Sequence, residues 1–183
     1  MPEQASEHRY WIGCVDDDQP FLDSVGRLVH RTLEGERCEV HCEVELASGA
    51  TQFAQVDQEM RTEGYDLALL ITDQMMPSCT GLELIERVKN GHPDTSCVLL
   101  TGYAGLESAR YAINHRLLDR YVCKPIEDLD QFSELVLGEV ERHHLRRVEA
   151  DQACEIVRRT RELHDANIRL EGMKRTAERV AYF

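Results

Sequence analysis

Apolar and polar positions follow a repeating plan through most of the chain. Apolar runs of strand length cover residues 10–15, 66–72, 96–100 and 120–123, and apolar residues at every second position predict a further strand over 38–46. Between them, apolar residues recur every three or four positions, which predicts helices over residues 21–33, 50–62, 81–90, 106–114 and from Glu127 onward. Strands that alternate with helices in this way predict an α/β fold with a parallel sheet.

A different repeat begins in the C-terminal part of the chain. After Gln131 no loop signal appears before Gly172, so the last helix is predicted to run on into a tail over residues 142–183. Positions spaced alternately by four and three residues form a heptad seam of Ile156, Thr160, Leu163, Asn167, Leu170, Lys174 and Ala177. This seam favours a helical linker that self-pairs as a coiled coil or joins an output domain, and a solvated helix is the alternative.

Charge divides the chain at nearly the same place. The formal net charge is -13. Residues 142–183 hold ten basic and seven acidic residues, which leaves a net charge of about -16 for residues 1–141. An acidic body of this kind repels phosphate backbones, so direct binding of nucleic acid is not expected.

Composition argues against several other classes. The seven cysteines form no CxxC pair, which speaks against a zinc site or a disulfide framework and favours a reducing compartment. The longest apolar run, residues 67–71, is far shorter than a membrane span, and the first residues show no secretory signal. We therefore expect a soluble, cytoplasmic protein.

Residues that carry chemistry follow the predicted strands at their carboxyl ends. Asp16 and Asp17 follow the first strand, Asp73 the third, Thr101 the fourth and Lys124 the fifth. In a parallel sheet these ends meet at one edge, where ligands bind. Carboxylates packed this closely cannot all stay ionised without a cation, and their hard oxygens suit Mg²⁺. With the metal present, Asp73 can act as a nucleophile that accepts a phosphoryl group.

The three consecutive aspartates have a second interpretation. Carboxylates at a helix N-terminus cap free N–H groups and interact favourably with the helix dipole. We prefer this interpretation for Asp18 and the ligand interpretation for Asp16 and Asp17, because of what lies at the other strand ends.

These segments resemble the receiver domains of response regulators in two-component systems. The matching stretches, in the family's order, are Val15–Asp18, Thr72–Pro77 with Gly81–Glu83, Leu100–Gly102 and Tyr121–Pro125. The resemblance covers residues 8–141 and leaves residues 142–183 as the helical tail. It implies the flavodoxin-like, doubly wound fold with five parallel strands in the order 2-1-3-4-5.

The resemblance also implies a role for each acidic residue. Asp73 would be the phosphoacceptor, supplied by a sensor histidine kinase or a phosphotransfer protein. Asp17, Asp73 and the backbone carbonyl of Met75 would bind Mg²⁺ directly, while Asp16 would act through water or a hydrogen bond.

Other implied roles concern the response to phosphate. Thr101 and Lys124 would contact the phosphoryl group, and Tyr121 would swing inward when Thr101 is drawn toward it. The Lys124-Pro125 peptide bond would be cis. A homodimer would form through the tail or through the surface of the fourth helix and fifth strand, around residues 104–122.

Two departures from the family pattern stand out. The interval from Asp17 to Asp73 is long because residues 37–54 contain extra positions, which predicts a reshaped sheet edge. Met75 and Tyr103 occupy the two positions that in this family help to place the hydrolytic water. Neither side chain holds water as a carboxylate or an amide does, so we expect the phosphorylated form to decay slowly.

Two other functions compete with this interpretation. A pseudo-receiver, meaning a constitutive dimerisation module, would not need the site, yet Asp73, Thr101 and Lys124 are all present. An aspartyl-phosphate phosphohydrolase usually has a second acid two residues after the nucleophile, where this chain has Met75. We expect the chain to catalyse only its own phosphorylation and dephosphorylation, with any output enzyme beyond residue 183.

Overall fold

A five-stranded parallel sheet forms the body of the molecule in the computed structural model, which describes residues 8–35, 38, 40–102 and 118–180, the last five of these in backbone only. The strands are β1 (Tyr10–Val15), β2 (Cys42–Ala47), β3 (Asp66–Asp73), β4 (Ser96–Thr101) and β5 (Arg120–Cys123), in the order β2-β1-β3-β4-β5. The described helices are α1 (Gln19–Leu33), α2 (Ala50–Thr62), α3 (Gly81–Gly91) and α4 (Leu129–Val180). The predicted fold and strand order are confirmed.

Apolar side chains cover both faces of the sheet. On one face, Trp11 and Leu70 pack in a cluster with Phe53 of α2 and Ile85 of α3. On the other face, Ile12 and Ile71 pack with α1 and the first turns of α4 through residues such as Val29 and Val136. Seven of the eight residues of β3 are buried, and only Asp66 is partly exposed, as the nearly continuous apolar sequence of this strand predicts.

Polar caps fix where the helices begin. The Asp18 carboxylate accepts a hydrogen bond from the backbone N–H of Phe21 at 3.2 Å, which confirms Asp18 as the N-cap of α1. Thr80 and Glu83 form a reciprocal capping box at the start of α3. The Asp128 carboxylate accepts from the backbone N–H of Gln131 at 2.9 Å, and α4 begins at Leu129 rather than Glu127.

The prediction for the second strand was wrong at its N-terminal end. β2 begins at Cys42, four residues later than the alternating pattern predicts. The backbone N–H of Cys38 instead bonds to the Gly35 carbonyl at 3.1 Å, and the Cys38 thiol bonds to the Val40 carbonyl at 3.2 Å. The pairing of β2 with β1 begins only at Cys42, opposite Tyr10. The helix predicted over residues 106–114 lies outside the described residues.

The chain divides into two compact units, residues 1–144 and residues 145–183. Within the second unit α4 remains helical past Gly172, as predicted. Its apolar seam residues are exposed, with relative exposures of 65% for Ile156, 67% for Leu163 and 51% for Leu170. In the described part of the chain, no helix has the length and apolar character that crossing a membrane requires.

Candidate functional site

Four strands deliver polar side chains to one edge of the sheet. Asp16 follows β1 and is 2% exposed, Asp73 ends β3 and is 7% exposed, and Thr101 ends β4 and is 1% exposed. Lys124 follows β5, and its backbone N–H bonds to the Thr101 carbonyl at 2.9 Å. Because the strands are parallel neighbours, their carboxyl ends bring these residues together, as the sequence predicts.

The ammonium group of Lys124 joins the two buried carboxylates. Its Nζ lies 2.6 Å from Oδ2 of Asp16 and 2.6 Å from Oδ1 of Asp73. Burial raises the pKa of Asp16, and the bonds from Lys124 only partly oppose this rise. Burial by itself lowers the pKa of Lys124, but its hydrogen bonds to Asp16 and Asp73 outweigh burial and raise it. The lysine therefore stays charged and offsets the repulsion between the carboxylates.

The second oxygen of Asp73 faces the loop that follows β3. Asp73 Oδ2 accepts a hydrogen bond from the backbone N–H of Met75, so the carboxylate fixes the loop's first turn. The Met75 side chain itself is 74% exposed. Beyond it, the Gly81 N–H bonds to the Gln74 carbonyl at 3.1 Å and returns the chain to the end of β3.

The remaining predicted residues lie outside this three-residue contact. The Thr101 hydroxyl donates to the Gly102 carbonyl at 2.8 Å. Tyr121 is 43% exposed. Asp17 is exposed and takes no part in the bonds to Lys124 described above. The Lys124-Pro125 bond is cis, as expected, and Tyr103 lies outside the described residues.

Two contacts at the site were not anticipated from the sequence. The Phe21 ring lies over Lys124, with 4.2 Å from its centroid to Nζ. Asp16 Oδ1 accepts the backbone N–H of Asp18 at 2.9 Å, which ties the buried carboxylate to the cap of α1. The position of Phe21, three residues after the cap and on the first turn of α1, is the only signal that the sequence offers for the first contact.

The donor set is compatible with Mg²⁺. In the part of the chain that the structure describes, no three His, Cys, Asp or Glu side chains are gathered as ligands. Mg²⁺ needs only one or two protein carboxylates, since it keeps several of its waters. Asp73 and the exposed Asp17 would supply these carboxylates. Asp16 would act indirectly, and it shares the Lys124 ammonium with Asp73 at 2.6 Å each.

Comparisons with known proteins identify the class. The family model of the response regulator receiver domain matches residues 12–136, so the chain belongs to that family. Receiver domains generally act as signalling proteins rather than enzymes, and they typically bind Mg²⁺ at an acidic phosphorylation site.

Curated relatives support the same assignment. The photosynthetic apparatus regulatory protein RegA of Rhodovulum sulfidophilum is 28% identical over 72% of this chain and 67% of its own length. The acid tolerance regulatory protein ActR of Rhizobium meliloti is 27% identical over 91% of this chain and 82% of its own. PilR of Pseudomonas aeruginosa is 34% identical over 50% of this chain, but the match spans only 19% of PilR.

Solved structures share the fold. A receiver domain protein from Clostridium thermocellum superposes with a TM-score of 0.62 at 23% identity, over 74% of this chain and 98% of its own. A CheY-like receiver domain protein from Methanospirillum hungatei gives a TM-score of 0.59 at 26% identity, over 75% and 98%.

Proposed function

We propose that this chain is a phosphorylation-controlled switch whose phosphoacceptor is Asp73. The observation that carries the proposal is the convergence of Asp16 and Asp73 on Lys124, each at 2.6 Å. A carboxylate held beside a lysine ammonium at the carboxyl edge of a parallel sheet is poised to attack a phosphoryl group. A sensor histidine kinase or a phosphotransfer protein is the donor that this family membership supports.

The chemistry is transfer of one phosphoryl group. A bond forms between an Asp73 carboxylate oxygen and phosphorus, while the bond from phosphorus to the donor's nitrogen or oxygen breaks and the donor keeps that electron pair. Asp17, Asp73 and the Met75 carbonyl would hold Mg²⁺, with Asp16 acting through water or a hydrogen bond, and the bound ion would supply positive charge to the phosphoryl oxygens. Lys124 supplies further positive charge, already in place 2.6 Å from Asp73.

The response to phosphorylation runs through Thr101 and Tyr121. The Thr101 hydroxyl bonds only to the neighbouring Gly102 carbonyl among the described contacts, so it is free to turn toward a phosphoryl oxygen. That movement vacates space into which Tyr121, now 43% exposed, can turn inward. The Tyr121 ring would then lie outward when Asp73 is unphosphorylated and inward when it is phosphorylated, which changes the surface of β5.

The tail carries the signal onward. We assign residues 8–141 to the receiver domain and residues 142–183 to a helical linker that pairs with a second copy or joins an output domain. The exposed seam of Ile156, Leu163 and Leu170 supports this pairing. The second candidate for dimerisation is the stretch around residues 104–122, of which residues 104–117 lie outside the described residues and β5 is the described part. Nucleic acid and membranes are not proposed as direct partners, and the cytoplasm is the proposed location.

The alternatives explain the site less well. A constitutive pseudo-receiver does not need two buried carboxylates in contact with one lysine. A phosphohydrolase usually has a second acid two residues after the nucleophile, and the Met75 side chain at that position is exposed and apolar.

Intact mass spectrometry tests the proposal directly. The chain is incubated with acetyl phosphate, with and without Mg²⁺, beside Asp73→Asn and the matched control Asp128→Asn, an aspartate whose carboxylate caps α4. We expect a Mg²⁺-dependent gain of one phosphoryl group in the wild type and the control, and none in Asp73→Asn. If neither acetyl phosphate nor a panel of histidine kinases produces a gain, the constitutive module becomes the better explanation.

A further inference from the structure

An aromatic ring borders the ammonium at the centre of the proposed site. Lys124 Nζ carries three N–H donors, and Asp16 and Asp73 each lie 2.6 Å from it. The Phe21 ring centroid lies 4.2 Å from the same nitrogen. The face of an aromatic ring is negative and attracts a cation within about 6 Å of its centroid. Phe21 is therefore an electrostatic neighbour of Lys124 as well as an apolar one.

The same local bonds that hold the site also place the ring. Asp16 binds Lys124 through Oδ2 and the backbone N–H of Asp18 through Oδ1. Asp18 in turn accepts the backbone N–H of Phe21 at 3.2 Å, which fixes the first turn of α1. These contacts form a closed circuit from Lys124 through Asp16, Asp18 and Phe21 back to Lys124. A change in the position of any member is transmitted to the ammonium.

We propose that Phe21 is a positioning residue for phosphoryl transfer, whose ring holds the Lys124 ammonium in place between the two carboxylates. This inference rests on the proposed function of Asp73. The lysine side chain is a flexible four-carbon stem with a strongly hydrated charge, so bonds to carboxylates alone leave it free to exchange with water. The ring covers one side of the ammonium, and Lys124 is only 22% exposed in its side chain.

Packing alone does not require an aromatic residue at this position. Phe21 is partly buried and packs against the core cluster that α1 shares with α4. Leucine would fill most of that apolar space but would present no negative face to Lys124. A packing role and an electrostatic role for Phe21 can therefore be distinguished. A substitution that changes the shape of the side chain tests the first, and one that changes only the charge on the ring face tests the second.

The test measures the first-order rate constant of Asp73 phosphorylation in the full chain, by intact mass at saturating acetyl phosphate and Mg²⁺. We expect Phe21→Leu to lower this constant by about two- to fivefold, and Phe21→Tyr to restore it. Phenylalanine analogues with one, two and three ring fluorines at position 21 keep the shape but remove charge from the ring face. Their rate constants should fall stepwise with the number of fluorines.

A double-mutant cycle links the effect to Lys124. In a Lys124→Met background, Phe21→Leu should lower the residual rate no further, because the ring has lost the cation on which it acts. Thermal melts followed by circular dichroism establish that each variant is folded, and if Phe21→Leu unfolds, the fluorine series decides by itself. A flat fluorine series, or an equal loss in both backgrounds, would overturn the role of Phe21 while leaving Asp73 as phosphoacceptor. Failure of the wild type to take up phosphate would overturn both proposals.

Discussion

At the scale of single residues, Gly81 shows how little space separates the loop after β3 from the site. A Cβ at this position would overlap the Asp73 carbonyl oxygen and lie 2.7 Å from Cδ1 of Leu99. Backbone at the end of a central strand cannot shift without moving the Asp73 carboxylate as well. The glycine is therefore required by the geometry of the nucleophile, although its own φ is not in the left-handed region.

Gly81→Ala is predicted to destabilise the fold by about 1–3 kcal/mol through overpacking, and to slow phosphorylation of Asp73. Urea denaturation gives the first quantity and intact mass the second. Gly138→Ala is the matched control, since Gly138 lies within helix α4 and its added Cβ would meet no described atom within 4 Å outside its chain neighbours and the local helix backbone. There alanine should leave stability unchanged or raise it by up to about 1 kcal/mol. Equal effects at both positions would contradict the steric argument.

We expect Met75 to affect a different property, the lifetime of a phosphorylated Asp73. Its side chain is 74% exposed and has only a weakly accepting sulfur, so it does not order a water for attack on phosphorus. We expect the aspartyl phosphate to last for minutes or longer in Mg²⁺ buffer. Met75→Asn should shorten that lifetime severalfold, and Met75→Leu should not. Loss of phosphate is followed by intact mass after removal of the donor, and a wild-type lifetime of seconds would refute the prediction.

At the scale of elements, a charged cluster joins α2 to the end of α3. Asp57 Oδ1 lies 2.7 Å from Nε2 of His92, and Asp57 Oδ2 lies 3.2 Å from Nε of Arg61. Burial alone raises the pKa of Asp57, but the hydrogen bond and charge of His92, together with Arg61, outweigh it and lower this pKa below its usual value. The ionised carboxylate is thus favoured by folding.

The stability that Asp57 contributes to the fold depends on pH. Since the pKa of Asp57 is lower in the folded state, its contribution to stability is complete above its unfolded value of about 4 and is lost as the pH falls through the folded value. Asp57→Asn should therefore lower the free energy of unfolding at pH 7, and the difference from wild type should shrink below about pH 4. Urea denaturation at pH 7, 5 and 3.5 measures this, with Asp165→Asn on the exposed tail as control. A difference that does not change with pH would argue against the ion pair.

Most elements could be predicted because each has a pattern that tertiary contacts do not alter. The continuous apolar run of β3 and the three- and four-residue spacing of α1 are of this kind. The start of β2 could not be predicted, since Cys38 and Val40 keep the alternating pattern, while the Cys38 N–H bonds to the Gly35 carbonyl and the Cys38 thiol to the Val40 carbonyl. The residues of the site were predictable from the strand ends. The bridging of two carboxylates by Lys124 and its cover by Phe21 depend on distances that a sequence does not contain.

At the scale of the whole molecule, we expect the tail to determine the state of association. Leu163 and Leu170 occupy one core position of the heptad seam, and Asn167 occupies the other. A buried asparagine at this position favours two strands in a single register. The exposed apolar residues of the seam therefore predict a dimer with a second copy of the same chain.

Leu163→Asp should weaken this dimer, because it places a charge in the paired seam. Ile168→Asp is the matched control: Ile168 is 56% exposed but lies off the seam on the same helix. Sedimentation equilibrium of the full chain compares the two variants with the wild type. If the wild type is a monomer at all concentrations, or if both variants dissociate equally, the seam is not a pairing surface.

The order of the strands also has a consequence for solubility. Of the strands in the described residues, only β1 pairs with β2, so the other side of β2 is an open edge onto which a second molecule could add a strand. Glu43 and Glu45 place negative charge on this strand, which opposes pairing with a second molecule. Burial and the neighbouring Glu43, Glu59 and Glu63 raise the pKa of Glu45. Acidification therefore removes the charge of Glu45 before that of an ordinary glutamate, which favours the addition of a second molecule at the β2 edge.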